Sequence, residues 1–213
     1  RVKANRERAS KEPLEYKSIY PMARDFYREA RVRGFDLKFG LGAAVMQALL
    51  MTPLSALAVV LMFRTIRRLT GRCSLALLSA ILFAFATPVF YRTAQLNHNL
   101  LLADFAFFSF LLLWGPGSQQ ASRHPAFFLA GLLAGWTLVL DYSGLIPLVA
   151  LGVYAHARHF QLPAAERSNY DLPRFAAGAL LSVLVLVGYQ WACFGNPIYP
   201  AQHYMPATTF SPK

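Results

Sequence analysis

Between residues 39 and 194 the chain alternates long uncharged apolar runs with short polar loops. The runs cover about 39–63, 74–90, 99–114 and 175–193. A further apolar stretch, about 126–155, is broken by Asp141-Tyr142-Ser143-Gly144 and then by Pro147. A helix rises about 1.5 Å per residue and a bilayer core is about 30 Å thick, so runs of this length suit membrane spans. Asp and Gly are turn formers, and the break therefore predicts two short spans joined by a turn. The fold class expected is all-α: a polytopic transmembrane helical bundle of about six spans. One continuous tilted helix over 126–155 is the alternative, and would leave five. Pro53, inside the first run, lacks an N–H and predicts a kink or a fresh helix start there. Pro88 lies near the end of the second run.

The flanks differ from this middle. Residues 1–38 are polar and dense in both signs of charge. Within them Met22, Phe26 and Ala30 recur at i, i+4 and i+8 against Arg24, Asp25, Arg28 and Arg31. That spacing fits a short amphipathic helix on a membrane surface, or equally a solvated lead-in to the first span. Residues 195–213 carry Pro197, Pro200, Pro206 and Pro212, which predict an irregular loop. The chain thus divides into 1–38, a polar and amphipathic segment; 39–194, the bundle; and 195–213, a loop. It opens on Arg1 and closes inside a polar stretch, as a piece of a longer protein would.

Composition agrees: 56% of the 213 residues are hydrophobic and 15% charged, yet the net charge is +11. A nucleic-acid binder spreads such charge over polar elements. Here the basic residues gather in loops and at the N-terminus, so no nucleic-acid partner is expected and the lipid bilayer is. Arg64, Arg67, Arg68 and Arg72 share one short loop with no acidic residue, which by the positive-inside tendency places it in the cytoplasm. Alternation then puts Tyr91–His98, the Asp141 turn, residues 1–38 and everything from Gly195 onward outside. Cys73 and Cys193 have no metal-ligand spacing and read as unpaired thiols packed like small apolar residues.

The chemistry-bearing residues collect at the outer face. With a helix starting near Asn97, residues Asn97, Leu101, Asp104 and Phe108 form one stripe. Asp104 then lies roughly 10 Å along the helix, where a carboxyl normally faces the bundle interior or a wet cavity. Packing alone would account for it equally well. Asp141 reads either as a helix terminator or as part of a polar cleft with Arg92, His98, Asn99, Tyr142 and His203. Gln202 and Tyr204 add hydrogen-bonding groups beside His203.

Certain motifs carry a resemblance. The segment Phe63-Arg64-Thr65-Ile66-Arg67-Arg68-Leu69-Thr70-Gly71-Arg72, followed by Ala86-Thr87-Pro88-Val89-Phe90-Tyr91, resembles the GT-C glycosyltransferases. Within them it is similar to the bacterial protein O-mannosyltransferase and aminoarabinose-transferase branch. Gly131-Leu132-Leu133-Ala134-Gly135 through Asp141-Tyr142 and the exit Phe194-Gly195-Asn196-Pro197 resemble further segments of that family. The likeness covers most of 41–206.

The resemblance implies an integral membrane enzyme of a bacterial inner membrane. It would move a sugar from a polyprenyl-phosphate donor to an acceptor at the outer face. Arg92 would pair with the donor phosphate, His98 would hydrogen-bond it, and Asp141 or Asp104 would orient the acceptor or an optional divalent metal. The family's catalytic acid sits in a first outer loop that is absent here or represented only by its tail within 1–38, and its acidic helix start is Asn99 here. No catalytic residue is therefore assigned. The alternative function is a non-catalytic accessory or structural subunit of a larger membrane complex, with other membrane subunits as partners.

Overall fold

A computed structural model describes residues 37–95, 97–115, 124–164 and 167–198. The chain divides into two compact units, Arg1–Met46 and Gln47–Lys213. The described part of the first is helix α1 (Leu37–Met46). The candidate amphipathic helix at 22–32 and the tail with Gln202, His203 and Tyr204 lie outside the described residues.

The second unit begins with a π-helical turn, Gln47–Met51, and continues as α2 (Thr52–Thr70) with Pro53 in its first turn. A proline there cannot donate to the carbonyl four residues earlier, and a widened turn absorbs that missing bond. The Thr52 hydroxyl donates to the Gln47 carbonyl at 3.0 Å, across the widened turn. The expected helix start at Pro53 is thus present. Next come α3 (Cys73–Phe85), a short α4 (Val89–Thr93), α5 (His98–Trp114), α6 (His124–Leu140), α7 (Leu145–Gln161) and α8 (Asp171–Phe194). A 3₁₀ turn, Tyr142–Gly144, separates α6 from α7, so 126–155 is not one helix. The described residues contain helices and turns and no strand. Gly195, with φ of 73°, ends α8 in the left-handed region that costs glycine nothing.

Helix α6 is the centre of the unit. It meets α8 with almost no side chain between them: a Cβ on Gly131 would overlap the Phe175 backbone, and one on Gly178 would overlap the Phe128 carbonyl. Small residues let backbones approach this closely, and hydroxyl groups then bond across. The Ser182 hydroxyl donates to the Leu132 carbonyl at 2.8 Å, and Ser109 of α5 donates to the Ala130 carbonyl at 2.8 Å. Around these contacts Phe127, Ala130, Ala134, Leu151, Ala155 and Phe175 form the main core. A second, smaller cluster joins Met51 to Leu100 and Leu101. Because Met51 meets Leu100 and Leu101 while Ser55 meets Asp104, α2 and α5 run in the same direction.

The outward surfaces are apolar. Leu77, Ile81 and Phe85 on α3, Ile146, Val149 and Val153 on α7, and Leu180, Leu184 and Trp191 on α8 are all exposed. Two helical stretches, Gly40–Thr70 and Asp171–Phe194, are long and apolar enough to cross a membrane, and only 17% of each apolar window is buried. A core helix of a soluble protein would be mostly enclosed. Shorter apolar helices accompany them at Cys73–Phe85, His98–Trp114 and Ala126–Leu140. The two cysteines are free, as expected, but exposed rather than packed inside. Both sit at helix ends, Cys73 opening α3 and Cys193 next to last in α8, where neighbouring helices do not cover them.

Candidate functional site at the Asp141 end of the helices

Four helix ends converge where α5 begins, α6 stops, α7 begins and α8 stops. Asn97 caps α5, its side chain accepting from the Asn99 backbone N–H at 3.0 Å, so the sequence reading of this helix start is met. This cap sets His98 on the first turn. Asp141 stands at the end of α6 in an extended conformation, and its Oδ1 accepts from the Ser143 N–H at 2.8 Å. Its other oxygen, Oδ2, lies 3.3 Å from His98 Nε2. The two side chains are 55% and 30% exposed, so both can meet a ligand from solvent. Hydrogen bonding from Ser143, through side chain and then backbone, holds the Asp141 carboxyl below the usual carboxylate range, and His98 adds to this.

The next residue is fixed from the other side. The Nε2 of Gln190, a residue only 3% exposed near the end of α8, donates to the Tyr142 hydroxyl oxygen. Below the turn, the Thr137 hydroxyl lies 2.6 Å from the Ala134 carbonyl and 2.9 Å from the Gly144 carbonyl. A Cβ on Gly144 would overlap the Thr137 carbonyl, so glycine is required for this close approach. The turn is therefore pinned to α5, α6 and α8.

Asp104 faces inward, with Leu101 and Phe108 buried beside it on the stripe expected from the sequence. It is 3% exposed and lies 3.4 Å from the Ser55 hydroxyl. The structure brings His98, Asp141 and Tyr142 to one rim and sets Asp104 deeper, between α2 and α5. Asn99 is exposed and contributes its backbone N–H to the cap. Arg92 occupies the last turn of α4 and is half-buried; no contact joins its guanidinium to His98 or Asp141. His203 lies outside the described residues. Gln190 and Ser55 are partners that the sequence reading missed.

Among the described residues no group of three or more His, Cys, Asp or Glu side chains is placed to hold a metal. His98 and Asp141 supply two donors, which is short of a protein-held metal centre. The pair can instead position a hydroxyl or an anionic oxygen. A carboxylate that takes one imidazole N–H leaves the other ring nitrogen to face a ligand. Comparison with known protein families, curated proteins and solved structures finds no match to the chain.

Proposed function

We propose that the chain is the membrane-embedded part of a glycosyltransferase of the GT-C type, taking a sugar from a polyprenyl-phosphate donor at the outer face of a bacterial inner membrane. The observation that carries this reading is the His98–Asp141 contact at 3.3 Å, on a rim shared with Tyr142 and Gln190. A polar rim at the end of apolar helices lets a lipid-linked substrate keep its tail in the bilayer while its head group meets hydrogen-bonding side chains.

The membrane setting and its polarity have separate support. Apolar side chains cover the outward faces of α3, α7 and α8. Helices of 17 residues, as α5, α6 and α7 are, measure about 25 Å and approach the bilayer thickness, which favours six spans. Tyr91, Tyr189 and Trp191 are exposed close to the Asp141 end, at the level where aromatic anchors meet a membrane interface. Arg64, Arg67 and Arg68 in the last turns of α2, and Arg72 just beyond it, lie toward the opposite end, with Arg158 and Arg167. That asymmetry supports an outward-facing Asp141 rim.

In this reading His98 hydrogen-bonds the donor phosphate, Asp141 holds the imidazole, and Arg92 pairs with the phosphate. The guanidinium fork suits such an anion. Arg92→Ala weakens binding of a polyprenyl-phosphate sugar about tenfold, as loss of a charge-assisted hydrogen bond does. Unchanged affinity in a titration of the purified protein would remove Arg92 from the site. Binding without turnover is the outcome expected of this chain, which has no assigned catalytic residue; the second reading, an accessory membrane subunit, is supported by the broad exposed apolar face of α3. Absence of binding by the wild-type chain would sink the transferase proposal. For the topology, a single cysteine placed at Arg67 stays unlabelled by an impermeant thiol reagent in intact cells, and labelling there would invert it.

A further inference from the structure

Arg68 aside, which has a contact of its own, the described arginines of the Asp171 end fall into two sets. Three are engaged by the protein itself. Arg158 donates to the Trp114 carbonyl at 3.3 Å, and Arg167 donates to the Phe160 and Leu162 carbonyls at 2.8 and 3.2 Å. Arg174 lies 6.0 Å over the Tyr170 ring. Arg158 and Arg167 close helix ends, where carbonyls lack intrahelical partners, while Arg174 is held against a ring.

Arg64, Arg67 and Arg72 behave otherwise. All three are exposed, and their guanidinium groups make no hydrogen bond or ion pair with a described residue. Arg64 and Arg67 lie three apart on one face of α2, and Arg72 follows the glycine that ends the helix. The run from Arg64 to Arg72 spans about 12 Å at helical rise. Between Asp36 and Asp104 the sequence has no acidic residue to neutralise it. Immediately beside the charges the surface turns apolar: Leu69 is 59% exposed, Leu75 42% and Leu78 53%. Uncompensated guanidinium groups that border an open apolar helix face match one chemistry, a phosphate attached to acyl chains.

We propose that Arg64, Arg67 and Arg72 form a binding site for an anionic phospholipid, its phosphate on the guanidinium groups and its acyl chains along α3. The inference rests on the membrane reading given above but not on the transferase activity. Each guanidinium near an anionic head group strengthens binding by about fivefold. Selection for phosphatidylglycerol over zwitterionic phosphatidylcholine is then tenfold or more for the three together.

The test is lipid retention. The full chain is reconstituted in vesicles of mixed phosphatidylcholine and phosphatidylglycerol, extracted in mild detergent, and its bound lipid counted by native mass spectrometry. Enrichment of phosphatidylglycerol by tenfold or more, lost in R64Q/R67Q/R72Q and kept in Arg158→Gln, is the expected result. The triple variant alters only exposed side chains, and an unchanged thermal transition checks that it folds. Equal retention of both lipids by the wild type overturns the site while leaving the membrane reading intact. A chain that stays soluble and enters neither lipid overturns both. Soluble glycerol phosphate should not displace the bound lipid; displacement by it at equal concentration would mean a site for free anions, and would refute the lipid assignment.

Discussion

Each end of the bundle has a histidine beside an aspartate, and the two pairs differ in almost everything but distance. At one end His98 and Asp141 lie 3.3 Å apart with side chains 55% and 30% exposed. At the other, His159 Nδ1 and Asp171 Oδ2 are 3.5 Å apart and only 9% and 1% exposed. The Asp171 carboxylate also takes the Ser168 N–H at 3.1 Å and so closes the loop between α7 and α8. Its bonding capacity is spent inside the protein. The exposed pair leaves imidazole edge and carboxylate open to a ligand. The same two residue types thus build a structural clasp where water is excluded and a candidate site where it is not.

Substitutions put that distinction to work. Asp171→Ala removes the buried acceptor of the Ser168 N–H and the carboxylate beside His159, and should destabilise the fold by about 1–3 kcal/mol, the cost of leaving a buried polar group unsatisfied. Denaturation in mixed micelles measures it; a loss below 1 kcal/mol would make the two ends alike. Ser182→Ala removes the hydroxyl between α8 and α6 and should cost about 0.6 kcal/mol, since cross-helix hydroxyl bonds are modest in membranes. Asp141→Asn should cost less than about 1 kcal/mol of stability, as exposed pairs do, while weakening ligand binding. A large stability loss there would reassign this pair to the clasp class.

Titration gives the smallest effect. The Asp141 carboxyl is held below its ordinary value in the fold, so its contribution is complete above the unfolded-state value of about 3.9. It is lost as pH falls through the lower folded-state value. Stability attributable to Asp141 should therefore be flat from neutral pH down to about 5 and decline only in strong acid. Asp141→Asn should abolish that acid-limb decline, which a comparison of unfolding midpoints across pH detects.

Much of this architecture can be read from the chain because local signals and burial agree. Asn97 before an apolar run marks a cap, Pro53 marks a helix start, and Asp141-Tyr142-Ser143-Gly144 marks a turn; each stands where its chemistry requires. Asp104 could be assigned to the interior because Leu101 and Phe108 share its face. Contacts between distant segments are less legible. Nothing local to His98 indicates that Asp141 will stand beside it, or that Gln190 will reach Tyr142. Arg92 stands on a separate short helix, α4, whereas the contacts within the rim run through α5, α6 and α8, so charge and position suggest its place but no contact between side chains marks it. The α6–α8 contact has a signal that the sequence reading missed, Gly131 and Gly135 four residues apart, a spacing known from close helix crossings. The His159–Asp171 pair left a weaker one, a histidine ending one helix and an acid opening the next.

The glycine contact between α6 and α8 also determines how this protein can come apart. Two backbones in direct contact have no side chains to swing aside, so the first small separation already forfeits a large part of the dispersion energy along the shared surface. Such a joint is brittle rather than elastic: it holds at full strength until it fails, and it fails along its whole length. Under mechanical pulling from the α8 end, the α6–α8 pair would give way in one abrupt step. The α2–α5 seam, lined by longer chains such as Met51 and Leu101, would yield by gradual rearrangement.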